Sequence, residues 1–226
     1  MSTKNLVTEK RDVSDFDYLE IREHHEGELT ISLGEKESLA IEAPVDMIDR
    51  IETTVHDHKL FIKTGGNIIN QIGDSFRTSL TRRKIKYILT VKELIGVEIS
   101  GILKANINDI KSNYFILKFN GVGTIKINSL KARFLDVKLS NLGKIEINGR
   151  VEEQKVTIKG SSNYQAQDLL CEKSKIDLNG IGKAIIWVTE ELDVSIRGVG
   201  SVSYYGAPRI KSHVTPMASL LGLGKR

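Results

Sequence analysis

Six stretches in the second half of the chain fall into one phase: VEISGILKANI, LKFNGVGTIKI, VKLSNLGKIEI, VTIKGSSNYQA, IDLNGIGKAII and VSIRGVGSVSY. Each alternates apolar and polar residues, turns at a small residue, and alternates again. The turn residues are Gly101, Gly121, Asn141, Gly160, Gly180 and Gly198, so the steps are 20, 20, 19, 20 and 18 residues. Four and two residues before each turn stand Val97/Ile99, Leu117/Phe119, Val137/Leu139, Val156/Ile158, Ile176/Leu178 and Val194/Ile196. Four and six residues after it stand Ala105/Ile107, Ile125/Ile127, Ile145/Ile147, Tyr164/Ala166, Ala184/Ile186 and Val202/Tyr204. Period-two alternation means strands with one buried face. A unit this short can bury that face only by stacking on its copies. The pattern predicts an all-β fold, a β-solenoid or single-stranded β-helix-like stack of coils, with Lys118, Lys138, Lys159, Asp177 and Ser195 turned to solvent.

The small residues then have a structural reading. A corner between two short strands favours residues that tolerate positive φ, freely in Gly and moderately in Asn. A dinucleotide-binding loop would instead need G-x-G-x-x-G between a strand and a helix. Gly123, Gly182 and Gly200 each lead into another strand pattern, which favours corners over a phosphate cradle.

The rest of the chain divides around this repeat. Residues 1–66 form an acidic N-terminal β region expected to cap the solenoid, with alternating runs such as ELTISL and IETTVHDHKLFIK and one helical turn after Pro44. Open solenoid ends need such shielding against edge-to-edge pairing. Residues 67–90 read as a basic connector or loop, with a short amphipathic helix around Ile68 to Leu80. Residues 91–212 are the repeat solenoid and 213–226 a C-terminal tail, all within one structural domain. Charge follows the same division: residues 1–58 hold 15 Asp/Glu against six Lys/Arg, and the remainder carries a net +13. Such polarity can attract an anionic partner or hold the two ends of one molecule together.

Sites of chemistry are sparse. The single cysteine, Cys171, excludes an intrachain disulfide and a thiolate metal cluster. His56 and His58 lie two apart in a strand pattern, which would put both on one face, and no third metal ligand is marked by spacing. There is no G-x-S-x-G elbow and no H-E-x-x-H helix, so no catalytic, cofactor-binding or metal residues are assigned. Tyr204-Tyr205 reads as a plug over the last coil. No signal-peptide pattern and no apolar run of membrane-spanning length occurs, which predicts a cytoplasmic chain.

The order FDYLEI, GELTISLGEKESLAIEA, IETTVHDHKLFIK and LDVSIRGVGSVSYYGAPRI, over about residues 14–212, resembles the head GIN domain family, described as "putative auto-transporter adhesin". The resemblance implies a bacterial, mostly exported β-solenoid, and so a cell-envelope or surface location. It brings no catalytic set. The expected function is that of a non-enzymatic binding or adhesin-like protein presenting strand faces to a protein, a polysaccharide or a second copy of itself. Arg82, Arg83, Lys84, Lys86, Lys118, Lys138 and Lys159 form the expected interaction surface. The alternatives are a carbohydrate-active enzyme on a β-helix scaffold and an intracellular binder of nucleic acid or a membrane surface. The basic run lacks the interleaved aromatics of a single-strand binder, which favours a solvated loop.

Overall fold

In the computed structural model, which describes residues 5–65, 84–140 and 142–226, the repeat winds into a β-solenoid. The stack runs through β2 (Tyr18–Leu33), β7 (Gly96–Leu139), β8 (Leu142–Ile158), β9 (Ser161–Leu178), β10 (Ile181–Ile196) and β11 (Val199–Tyr205), each parallel to the next. The long strands bend round the corners of the coil, so β7 covers more than one circuit. Registers such as Val137↔Val156↔Ile176↔Val194 and Ile125↔Ile145↔Tyr164↔Ala184↔Val202 are the ladders read from the sequence. Their members are buried, apart from the half-buried Tyr204. The core is a column of aliphatic layers along the axis, and apolar burial across coil boundaries is its main stabilisation.

The N-terminal cap is built from strands that reverse direction. β6 (Lys84–Val91) and β5 (Lys59–Thr64) run parallel to the two arms of β2. On them lie β3 (Ser38–Pro44), β1 (Leu6–Arg11) and β4 (Ile51–His56), all antiparallel. The helical turn α1 is Val45–Ile48; Pro44 precedes it and Met47 and Ile48 turn into the core.

Three boundaries differ from the sequence expectation. The stack begins with β2, whose Leu19 and Ile21 pair with Val97 and Ile99; a detour through the cap and a bulge between Glu23 and Gly27 hide this coil from a 20-residue search. Residues 84–90 of the expected connector are strand, because Ile85, Tyr87 and Leu89 alternate into the core. The expected tail continues the stack: β13 (Ala218–Gly222) lies parallel on β11, and β12 (Arg209–Val214), which straddles the expected boundary, lies parallel on β10. The helix anticipated near Ile68–Leu80 lies outside the described residues.

Candidate functional site

Of the seven cations expected to form the interaction surface, Arg82 and Arg83 lie outside the described residues. The other five are dispersed, and four are matched by carboxylates. Lys84 reaches Glu28 at 2.6 Å and Lys86 reaches Glu42 at 2.7 Å, both on the cap sheet. The hydrogen bond from Lys84 lowers the Glu28 pKa, and the one to Glu42 raises that of Lys86. Lys118 and Lys138 share one outward column; Lys118 meets Glu98 at 2.9 Å and Lys138 meets Asp136 at 3.0 Å. Lys159 stands at a corner, outside that column, where its backbone N–H donates to the Leu139 carbonyl. Three of these pairs bridge neighbouring strands or coils and Lys138–Asp136 lies within one, and together they neutralise most of the expected surface.

A second group of cations lies at another corner. Lys131 pairs in register with Arg150, and Lys111 precedes them by one repeat, at a 20-residue step. These side chains, with Arg133, Glu93 and Glu152, line a surface groove of about 390 Å³. Arg133 is held by Glu152 at 3.3 Å and Arg150 by Glu172 at 3.2 Å. Among the described residues Lys111 and Lys131 have no ion-pair partner. Adjacent coils lie ~4.8 Å apart, so the groove carries cations at a regular axial spacing. Sequence reading missed it because outward residues leave no apolar signature, although the steps from Lys111 to Lys131 to Arg150 repeat the period of the core ladders.

The remaining polar features are structural. Glu23 is buried and accepts from the Thr64 hydroxyl at 2.9 Å, the Tyr87 phenol and the His25 N–H at 2.8 Å. Burial drives the Tyr87 pKa well above its ordinary value. The Tyr164 phenol, buried in mid-stack, donates to Gln154 at 2.9 Å. Cys171 is also buried, and burial pushes its thiol up to about 12.

His56 and His58 do not share a strand face. Asp57 and His58 both adopt positive φ, forming the two-residue turn between β4 and β5, a geometry that suits an Asp-led hairpin. His56 bonds Asp57 at 2.8 Å, and His58 contacts the Asp15 carbonyl at 3.2 Å. Among the described residues no group of three or more His, Cys, Asp or Glu is placed to hold a metal ion. No helix among them is long and apolar enough to cross a membrane.

A family model described as "Putative auto-transporter adhesin, head GIN domain" matches residues 16–208. No curated protein matches the chain. Among solved structures, one described as a putative adhesin from Bacteroides fragilis is 25% identical with a TM-score of 0.80, covering 99% of this chain and 96% of that one. Two others described as putative adhesins are similar in fold alone. That from Parabacteroides distasonis is 15% identical with a TM-score of 0.61, covering 98% of each chain. That from Parabacteroides merdae is 16% identical with a TM-score of 0.60, covering 98% of this chain and 97% of the other.

Proposed function

This chain belongs to the head GIN domain family, and from that premise we propose that it is a non-catalytic, adhesin-like protein of the cell envelope that binds an acidic polysaccharide in the Lys111–Lys131–Arg150 groove. The observation that carries this reading is the pair of unneutralised lysines on a cationic ladder of fixed pitch. A polymer with regularly repeated carboxylates can meet such a ladder at several points together. Each contact is weak in water, and the sum gives avidity. The family's adhesin description and the solenoid's long regular surface support the same reading. A groove this open leaves the cations hydrated and salt-screened, which suits reversible attachment.

The test is binding of the purified protein to polygalacturonate, with neutral dextran as the control. Wild type retains the acidic polymer and releases it at ~1 M salt, where the Debye length falls to ~3 Å. The Lys111→Gln/Lys131→Gln variant, folded as judged by circular dichroism, loses about tenfold in affinity, of the order expected for two exposed charge contacts of under ~1 kcal/mol each. Undiminished binding by that variant, or equal binding to dextran, rejects the assignment.

A further inference from the structure

The residue between the corner glycines has no task in the core. In Gly-x-Gly corners the side chain x stands on the outer edge, and the register stacks Val122↔Leu142↔Ser161↔Ile181↔Val199. Ile102 continues the row one coil earlier, since the Gly121 and Gly123 backbones lie on Gly101 and Leu103. Ile102 is 47% exposed, Val122 47%, Leu142 58%, Ile181 63% and Val199 43%. Five of six consecutive corners thus hold a large aliphatic side chain in water, where a polar residue would satisfy the turn equally well. Five steps of ~4.8 Å make a straight ridge ~24 Å long. Val122, Ile181 and Val199 have glycine on both sides, and Ile102 and Leu142 on one, which strips much of the ridge of neighbouring side chains. Exposed apolar rows of this kind mark interaction sites.

The charges beside the ridge identify what covers it. Two residues after the ridge positions stand Lys104, Thr124, Lys144, Asn163, Lys183 and Ser201. Two residues before them stand Ser100, Asn120, Ser140, Lys159, Asn179 and Arg197. These flanks hold five cations and no carboxylate. Lys144 reaches Glu146 at 2.9 Å, and Arg197 donates to Asn179 at 2.7 Å. Lys159 and Lys183 have no ion pair among the described residues, and Lys104 stands in register with Glu28. A second copy docking through the same ridge would bring like charges together. Nucleic acid would call for aromatic stacking platforms, whereas this row is aliphatic. A convex apolar line bordered by cations suits a flat surface that is greasy beneath and anionic on top.

We propose that the Ile102–Val199 ridge docks the solenoid edge-on to a lipid bilayer carrying anionic headgroups. The aliphatic side chains enter the headgroup–acyl boundary, and Lys104, Lys144, Lys159, Lys183 and Arg197 engage headgroup phosphates. This site lies at a different corner from the polysaccharide groove and does not depend on it.

Vesicle flotation tests the proposal with phosphatidylcholine vesicles, with and without phosphatidylglycerol. Wild type floats with the anionic vesicles and stays behind with the neutral ones. The ridge variant Leu142→Ser/Ile181→Ser/Val199→Ser and the flank variant Lys144→Gln/Lys183→Gln/Arg197→Gln each lose about tenfold or more in partitioning, as removal of several apolar or basic anchors requires. Thermal unfolding confirms that each variant is folded. The groove variant Lys111→Gln/Lys131→Gln floats as wild type does, which separates this site from the groove. Equal flotation with neutral vesicles, no flotation of wild type, or unchanged flotation of the ridge variant overturns the proposal. A wild-type dimer that the ridge variant dissociates, seen by sedimentation, likewise overturns it in favour of a second copy.

Discussion

At its N-terminal end the stack closes on itself: β3, β1 and β4 reverse direction over β6 and β5, and beneath them Glu23 gathers the Thr64 and Tyr87 hydroxyls in a buried cluster. At the C-terminal end β12 and β13 run on parallel, each paired with one neighbour among the described residues. All of Arg209–His213 is exposed, and so are Met217 and Leu221. In a solenoid, stability is approximately a sum of coil and nearest-neighbour terms. The first coil is therefore held on both sides and by a polar cluster, whereas the last is held on one side only. Disturbance at the cap should propagate through the whole fold, and disturbance at the open end should stay local.

Two glycines give the largest contrast. Gly101 and Gly224 both have φ in the left-handed region, +114° and +92°. At Gly101 an added Cβ would collide with the Glu23 carbonyl of the coil beneath, whereas at Gly224 nothing lies nearby. Gly101→Ala therefore forces apart two backbones at the junction of cap and stack, with an expected loss of ~3 kcal/mol or more, at or beyond the top of the usual range for point changes. Gly224→Ala has only the intrinsic αL penalty of ~1 kcal/mol. Urea unfolding followed by circular dichroism distinguishes them; equal losses would remove the asymmetry.

The Glu23 cluster comes next. Glu23→Leu removes the acceptor shared by the Thr64 and Tyr87 hydroxyls, which lie 3.3 Å apart and can then satisfy only one donor between them, and the acceptor of the His25 N–H. The expected cost is about 3 kcal/mol, given ~1–3 kcal/mol for a stranded buried group. Glu23→Gln keeps one acceptor oxygen and recovers part of that. Hydrogen exchange gives the regional readout: with Glu23→Leu the amides of β5 and β6 lose protection first. Retained protection there would show that the cap is held by packing alone.

Alkaline pH acts on the middle of the molecule. The Cys171 thiol titrates at about 12 when folded, against 9.0 when free. Between these values the unfolded chain releases a proton that the folded chain keeps, so stability is full below about pH 9 and declines as pH rises. The slope is at most ~1.4 kcal/mol per pH unit for one group. Tyr87 and Tyr164, raised from 10.0 by burial, add to the fall above pH 10. Urea midpoints at pH 7, 9 and 10 should fall in that order, and Cys171→Ala should flatten the step from 9 to 10.

What the sequence revealed divides along a physical line. Val137, Val156, Ile176 and Val194 announced their column because burial demands apolar residues at every coil. Outward residues answer to no such demand, so the Lys118 and Lys159 surface was legible as exposed but not as paired or unpaired; only coil registry shows that Glu98 meets Lys118 while Lys131 meets no carboxylate. The place of β2 in the stack escaped notice because its partner Val97 lies 78 residues beyond Leu19, across the cap. β12 escaped because Lys211, Ser212 and His213, at the end of the stack, have no buried face to keep apolar. Val122, Ile181 and Val199 of the ridge are each the x of a Gly-x-Gly, a pattern that marks a backbone corner and carries no signal about the side chain between the glycines.

The smallest expected effect completes the comparison of the ends. Arg226 hydrogen-bonds the Gln167 carbonyl and the Asp168 carboxylate, and its guanidinium lies 5.4 Å from the Trp187 ring and 5.6 Å from the Tyr205 ring. In number these contacts rival those of Glu23. Their surroundings differ: both partners of the Arg226–Asp168 pair are exposed by more than a third, so water solvates the guanidinium whether or not the pair forms. An exposed pair contributes ~0–1 kcal/mol, and an exposed cation–π contact ~0.5–1 kcal/mol, offset by ordering a long side chain. Arg226→Ser should therefore lower stability by no more than ~1 kcal/mol, with exchange quickened only in β11 and β13. A loss as large as that of Glu23→Leu would mean that the C-terminal end is closed by its side chains as firmly as the N-terminal end is by its strands.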